Sequence, residues 1–287
     1  GFFRTEEREA VNVLDLNMAR ESFDYLVTPA MVSQEANPFT YASGLCYPSS
    51  IVKHMKMISK DKQAVLLFGN NGGTLRYVKD PAVENKIWLW ESVSAGCGFW
   101  NCLFNGQHPA ATHDNRAAYI SKPMFDFLEE NEEILEENVP VAEVAIYASK
   151  PTRDVFGNTV DSEKDRFCCN MKGVEKILVG KHIQFVHIPG DVNLKLEDLQ
   201  PYKAVVLPNV ACMSDKEAEV FKEYVKAGGN VIASYETSLY DESGKKRNDF
   251  ALGDMLGVTS TGTTEDTRVD CYQLIRDGEN PLLKGVE

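Results

Sequence analysis

The stretch from residue 203 to 234, KAVVLPNVACMSDKEAEVFKEYVKAGGNVIAS, constrains the fold more than any other part of the chain. Ser214 can serve as an N-cap, and Glu217 three residues later completes a capping box. A strand, a capped helix and a second strand predict a βαβ unit, whose strands pair in parallel through a right-handed crossover. The parts of the unit are, in order, an apolar run at 204–207, a helix at 215–226, a glycine pair at 228–229 that can end the helix, and an apolar run at 231–233.

The same alternation of apolar runs and amphipathic segments extends along the chain and predicts an α/β fold with parallel sheets. Further strands are predicted at 24–28, 64–68, 96–101, 144–147 and 183–186, and a first helix at 5–21. A linker-like sequence, Asn138-Val139-Pro140, divides the chain into residues 1–138 and 139–287. The strand pattern of the second part predicts a doubly wound, flavodoxin-like sheet, and we expect this part to fold independently. The first part has three strands, each followed by a loop and a helix, and suits the closing units of a (β/α)8-type barrel.

Composition excludes several classes of partner. The net charge of −13 and the pI near 4.9 argue against nucleic acid and against an anionic membrane, since both require a basic face. The seven cysteines show no metal-ligand spacing, so we expect no metal and no cofactor. Scattered thiols favour the cytoplasm, although a secreted or periplasmic location is open if a leader was removed. Because the chain begins with Gly1, we expect processing, an expression scar or a piece of a longer parent protein.

Several runs of sequence resemble a known group of enzymes. The runs are WLWESVSAGCGFWNCLFNGQHP, HDNRAAYISKPMFDFLEENEEIL, PVAEVAIYAS and DKEAEVFKEYVKAGGNVIAS. They are similar to the trimeric microbial beta-galactosidases and related glycoside hydrolases, in which the last barrel units precede a flavodoxin-like trimerisation domain related to class I glutamine amidotransferases. The resemblance implies a carbohydrate ligand and a homo-oligomer.

The chain departs from these families where their chemistry is carried out. Retaining glycoside hydrolases use two carboxylates about 5 Å apart. The resemblance places the acid/base on an earlier strand and the nucleophile after 64–68, but the loop there is Gly69-Asn70-Asn71-Gly72-Gly73. Amidotransferases need a cysteine in a glycine-flanked elbow with a partner histidine. Cys212 lies between Ala211 and Met213, and no histidine follows His187. We therefore expect this chain alone to be inactive and its second domain to serve assembly.

The candidate site residues lie at the end of the third predicted strand and in the segments that follow the first three strands. Trp100 and Asn101 end the third strand, where a barrel places its active face, and Trp100 is either a sugar platform or a ring packed under the loop. Glu35, after the first strand, is either a catalytic or sugar-binding carboxylate or a solvated loop residue. Glu91 is interpreted as a surface charge. Asn70 is a further candidate for polar substrate contact. His108, His113 and Asp114 could also contact a substrate, and metal binding or a purely structural role are the alternatives for this cluster.

Three functions are compatible with these patterns. The first is a glycoside-hydrolase-like protein that acts on or binds carbohydrate, with a second domain used for assembly. The second is a non-catalytic carbohydrate-binding or oligomerisation module, and the third is a degenerate glutamine-amidotransferase-like protein.

Overall fold

A computed structural model of the chain describes residues 21–30, 47–69, 82–102, 115–136, 139–157, 166–190, 193–263 and 281. This part of the chain forms two parallel β-sheets with helices packed against them. The strands are β1 (Tyr25–Ala30), β2 (Gln63–Gly69), β3 (Gly98–Cys102), β4 (Val144–Ser149), β5 (Phe185–Gly190), β6 (Ala204–Leu207) and β7 (Asn230–Ala233). The helices are α1 (Tyr47–Ser59), α2 (Ala82–Ser94), α3 (Arg116–Glu130), α4 (Glu132–Leu135), α5 (Lys150–Phe156), α6 (Cys168–Gly180), α7 (Leu196–Leu199), α8 (Asp215–Lys226) and α9 (Gly253–Leu256).

The first sheet has the strand order β1-β2-β3 and is apolar on both faces. Side chains alternate between the two faces along a strand. Leu66 and Phe68 are fully buried in a cluster formed with residues of α1 and α2. Val65 and Leu67, which point to the other face, are only partly buried. Strands with apolar residues on both faces are typical of sheets that are covered on both sides, as in α/β barrels.

The second sheet has the strand order β5-β4-β6-β7, with all pairs parallel. β4 is the first strand of this half and lies between β5 and β6, which is the order of a flavodoxin-like, doubly wound sheet. Helix α8 covers one face, where Tyr147 packs edge-on against Phe221 with ring centroids 5.1 Å apart. Helix α6 covers the other face, where Met171 joins Ile146 and Phe185 in a second cluster.

The unit β6-α8-β7 agrees with its sequence prediction. The backbone N–H of Glu217 donates to Ser214 Oγ over 3.2 Å, and the backbone N–H of Ser214 donates to Glu217 Oε2 over 2.8 Å, so the capping box is formed. Gly228 has φ +100° at the end of the helix. A Cβ atom at Gly229 would lie 2.2 Å from the ring of Tyr224, so glycine is required at this position.

Two predictions for the second half are wrong. The strand expected at 183–186 is instead Phe185–Gly190, because His182 adopts a left-handed turn with φ +57° after α6. The loop expected after β4 begins with helix α5. Its N-cap is Ser149, whose Oγ accepts a hydrogen bond from the N–H of Thr152, and Pro151 lies in its first turn.

Helix α1 packs on both sheets. Its residues Ile51 and Met55 belong to the core of the first sheet, whereas Lys53 Nζ lies 3.7 Å from the ring centroid of Phe185 in β5. The independent folding of residues 139–287 stays a prediction. The helix predicted at 5–21 lies outside the described residues apart from its last position. No helix in the described ranges is long and apolar enough to cross a bilayer.

Candidate functional site

The face of the first sheet that points away from α1 and α2 presents Trp100. In the parallel register, Trp100 of β3 is the partner of Leu67 of β2, so both side chains point to this face. Trp100 lies near the carboxyl end of β3 and is 51% exposed. An exposed aromatic ring at the carboxyl edge of a parallel sheet can stack on the apolar side of a ligand.

Asn101, the next residue, points to the opposite face. Its register partner is Phe68, which is buried against the helices. The Asn101 amide donates a hydrogen bond to Ser121 Oγ of α3, and Ser121 in turn lies 3.4 Å from Asn85 Oδ1 of α2. Asn101 therefore ties the end of β3 to two helices, while the ring beside it remains on the open face.

A cavity of about 470 Å³ lies between β3 and α3. This volume is within the range of small-molecule sites. Its lining combines aromatic rings with one amide, one hydroxyl and one ammonium group. The lining residues are Phe99, Trp100, Asn101, Ala118, Ser121, Lys122 and Phe125.

The other sequence-predicted site residues lie outside the described residues. Glu35 follows β1 in sequence, Asn70 follows β2 directly, and His108, His113 and Asp114 follow β3. Their roles in the site therefore stay predictions. Within the described ranges, no three His, Cys, Asp or Glu side chains are grouped so that they could hold a metal ion.

The second sheet has its own candidate position, at the carboxyl ends of β4 and β6. Doubly wound sheets bind ligands where the strand order reverses, which here is between these two strands. The segment 210–212 fills this position, and each of its residues is at most 1% exposed. The backbone N–H of Cys212 donates to Thr152 Oγ1 over 3.0 Å, and Ser149 Oγ donates to the Cys212 carbonyl over 3.2 Å. These bonds attach the segment to the start of α5.

Burial keeps Cys212 in its thiol form. Desolvation, with a smaller contribution from the nearby charge of Asp241, raises the pKa of the Cys212 thiol to about 11. Because the thiolate is the reactive form of cysteine, Cys212 is not an activated nucleophile.

The structure also contains a buried polar group that the sequence analysis missed. Glu175 of α6 is 6% exposed and lies 2.7 Å from Nε2 of His187 in β5. Its position between Met171 and Leu178 on the buried face of the helix is the signal that could have identified it.

The interpretation of Glu91 as a surface charge is wrong. Its Oε2 accepts a hydrogen bond from the backbone N–H of Ser49 at 3.0 Å, near the start of α1. Burial raises the pKa of the Glu91 carboxyl to about 7, against smaller opposing effects of the Ser49 N–H and the Lys53 charge. Glu91 follows the buried residues Glu84 and Trp88 at helical spacing, which was the available signal.

The second half of the chain matches a known domain family. Residues 181–269 match the beta-galactosidase trimerisation domain. Among curated proteins, none matches the chain in sequence.

The fold is similar to that of several solved beta-galactosidases. A catalytic mutant of a GH42 beta-galactosidase from G. stearothermophilus matches with a TM-score of 0.68 and 17% identity, over 84% of this chain and 37% of that one. The enzyme from Rahnella sp. R3 matches with a TM-score of 0.66 and 17% identity, over 85% and 38% of the two chains. The enzyme from Bacillus circulans sp. alkalophilus matches with a TM-score of 0.65 and 15% identity, over 84% and 37%.

The present chain thus spans 37% to 38% of the length of these three enzymes. The predicted fold class, part of a (β/α)8-type barrel followed by a flavodoxin-like sheet, is confirmed. The resemblance inferred from the sequence is also confirmed: this chain is similar in fold to GH42 beta-galactosidases, and its second half matches their trimerisation domain.

Proposed function

We propose that this chain is part of a glycoside-hydrolase-like protein, in which the first sheet contributes to a sugar-binding barrel face and the second domain serves assembly. The observation that carries the proposal is the exposed ring of Trp100, two residues before the carboxyl end of β3. Barrel enzymes bind their substrates at this end of the strands. The beta-galactosidases of similar fold support a carbohydrate, and a galactoside in particular, as the ligand.

The first sheet is compatible with a portion of a barrel because neither of its edge strands, β1 and β3, has a second neighbour in the described residues. Within the described residues, β1 pairs only with β2, and β3 pairs only with β2. Every strand of a closed barrel has two neighbours. The partly exposed apolar side chains Val65 and Leu67 would then point to the barrel interior, which is packed in such folds.

We do not expect this chain alone to hydrolyse glycosides. Hydrolysis with retention needs two carboxylates on opposite sides of the scissile bond. The sequence directly after β2 is Asn70-Asn71-Gly72-Gly73 and contains neither Asp nor Glu. This sequence equally favours the second candidate function, a non-catalytic carbohydrate-binding or oligomerisation module. We expect no turnover of nitrophenyl glycosides by the purified chain, and turnover that Glu35→Gln abolishes would identify a catalytic carboxylate in it.

The test of the sugar-binding face is a binding measurement with lactose as the probe. Isothermal titration should show binding that Trp100→Ala weakens at least about tenfold, because the stacking surface is lost. Trp90→Ala is the matched control, since Trp90 is also exposed but lies on α2, where it packs against Phe127. Absence of lactose binding, or equal loss in the two variants, would contradict the proposed sugar face.

The test of assembly is sedimentation. The match of residues 181–269 to a trimerisation domain supports self-association of the second domain. The filled position between β4 and β6 supports a role without chemistry, since the usual ligand site is occupied by residues 210–212. A concentration-dependent oligomer is expected, and a chain that stays monomeric at all concentrations would refute assembly.

A further inference from the structure

Helix α1 connects the two halves of the molecule. This helix is the next described element after β1. It packs in the core of the first sheet through Ile51, Val52 and Met55. Met57 directly precedes the buried residues Ile58 and Ser59 at the end of the helix, and it packs against the clusters of both sheets. An element that belongs to both cores can hold the halves in a fixed relation, provided that its contact with the second sheet is specific.

Glu175 supplies a specific contact between α1 and the second sheet. One of its carboxylate oxygens accepts a hydrogen bond from Ser50 Oγ of α1, and the other lies 2.7 Å from His187 Nε2. The side chain of His187 is fully buried, and that of Glu175 is 8% exposed. A hydroxyl and a ring nitrogen thus compensate a carboxylate that has been removed from water, which is the condition for keeping a buried charge.

His187 fits this contact in one tautomer. Its Nδ1 has no hydrogen-bond partner in the described part of the chain. A proton on Nε2 therefore places the donor toward Glu175 and leaves an acceptor at Nδ1, which costs less than an unpaired N–H. In this form the ring donates to Glu175 as Ser50 does.

His54 brings a second residue of α1 to the same contact. Its ring meets that of His187 edge-on, with centroids 5.4 Å apart and an interplanar angle of 72°. Burial lowers the pKa of His54 well below its ordinary value, and the charge of Arg153 lowers it further, so His54 packs as a neutral ring. Lys53 lies nearby over Phe185, and its pKa is lowered by burial while the charges of Glu175 and Glu91 oppose that effect.

We propose that Ser50 and His54 of α1, with Glu175 of α6 and His187 of β5, form a polar lock that fixes the first half of the chain to the second sheet. Apolar contacts between α1 and β5 would persist if the helix shifted along the strand. The lost hydration of the buried Glu175 carboxylate is replaced only when Ser50 and His187 both lie within hydrogen-bond distance of it. The lock itself is independent of the proposed function. If the proposed function holds, the lock keeps the sheet with the sugar-binding face in a fixed orientation relative to the assembly domain.

The test uses hydrogen exchange on the full chain. Glu175→Ala, which removes both acceptor oxygens, and Ser50→Ala, which removes one donor, should each accelerate exchange of the α1 amides about tenfold or more, because a buried hydrogen bond is lost. Amides of α8, which packs on the opposite face of the second sheet, should keep their rates. Glu130→Gln, which removes an exposed carboxylate on α3, should leave α1 unchanged.

Two outcomes would overturn the lock. Equal acceleration in α1 and α8 would mean that Glu175 stabilises the whole fold without holding α1 in particular. If the effects of the two substitutions on the exchange rate multiply in the double variant Ser50→Ala/Glu175→Ala, the two residues act separately. The lock requires the double variant to exchange no faster than Glu175→Ala alone, since both substitutions remove the same contact. Neither outcome depends on whether lactose binds.

Discussion

Replacement of Glu91 by glutamine should stabilise the chain above neutral pH and have no effect in mild acid. The carboxyl of Glu91 lies between α2 and the start of α1, and burial raises its pKa from an ordinary 4.5 to about 7. Above pH 7 the folded chain must keep a poorly solvated charge at this position. Glutamine has the same shape, carries no charge and can still accept the hydrogen bond from the N–H of Ser49.

The magnitude follows from proton linkage. Between pH 7 and pH 4.5 the folded chain keeps a proton on Glu91 that the unfolded chain has lost, so the folded state gains stability as the pH falls. A pKa difference of this size is equivalent to about 3 kcal/mol. Since Glu91 is partly exposed, screening by solvent reduces this to about 1–2 kcal/mol. Glu91→Gln should therefore be about 1–2 kcal/mol more stable than the parent at pH 8, and about equally stable at pH 4, below the pKa of the carboxyl in the unfolded chain.

Urea unfolding at the two pH values measures this difference. His54 has the opposite sign, because its lowered pKa makes the folded state lose stability as the pH falls below 6.5. That contribution is present in both chains and cancels when they are compared. Glu130→Gln, at an exposed position, is the control for removal of one negative charge. If Glu91→Gln were less stable than the parent at pH 8, its carboxylate would stabilise the fold and the reasoning from burial would be refuted.

Three further substitutions or measurements concern the second domain. Ser214→Ala should cost about 1 kcal/mol in urea unfolding, because it removes the N-cap of α8; an unchanged midpoint would show that the cap contributes nothing. Tyr147→Phe should cost about 1–3 kcal/mol, since the buried hydroxyl donates to Glu217 Oε1 over 2.6 Å, and a cost of zero would contradict the importance of this bond. Iodoacetamide should label the exposed Cys169 in the native chain and Cys212 only after unfolding, as mass spectrometry can establish; native labelling of Cys212 would mean that its burial is incomplete.

The sequence predicted best those elements whose signals are local. The bounds of β6 and α8 agree with the prediction because a short apolar run, a capping box and a glycine pair lie within about 25 residues of one another. Helix α5 also had a local signal, Ser149 followed by Pro151, but the polar residues after it resembled a loop. The start of β5 was misplaced because Ile183, which is apolar in sequence, is 42% exposed in the turn before the strand.

The contacts that the sequence could not supply join distant residues. Ser50 and Glu175 are separated by 125 positions, and the spacing of neither residue indicates the other. The partner of Glu91 is likewise distant, since Ser49 lies 42 residues earlier, although the helical spacing of Glu91 from Glu84 and Trp88 was a local signal of burial. For the candidate site, the sequence correctly placed Trp100 in a strand, although β3 continues beyond it to Cys102. It could not show which of the two faces Trp100 takes, because that depends on the register with β2 and on the side that the helices cover.

The open face of the first sheet also governs how this chain behaves in solution. Tyr25 and Trp100 are 55% and 51% exposed, and Val65 and Leu67 are partly exposed beside them. Such a face attracts other apolar surfaces, and the net charge of −13 opposes close approach of a second copy. The repulsion vanishes near the pI of 4.9 and is screened within about 8 Å at physiological salt. The colloidal stability of the chain is therefore controlled by its charge, and it is lowest in mildly acidic buffers of high ionic strength.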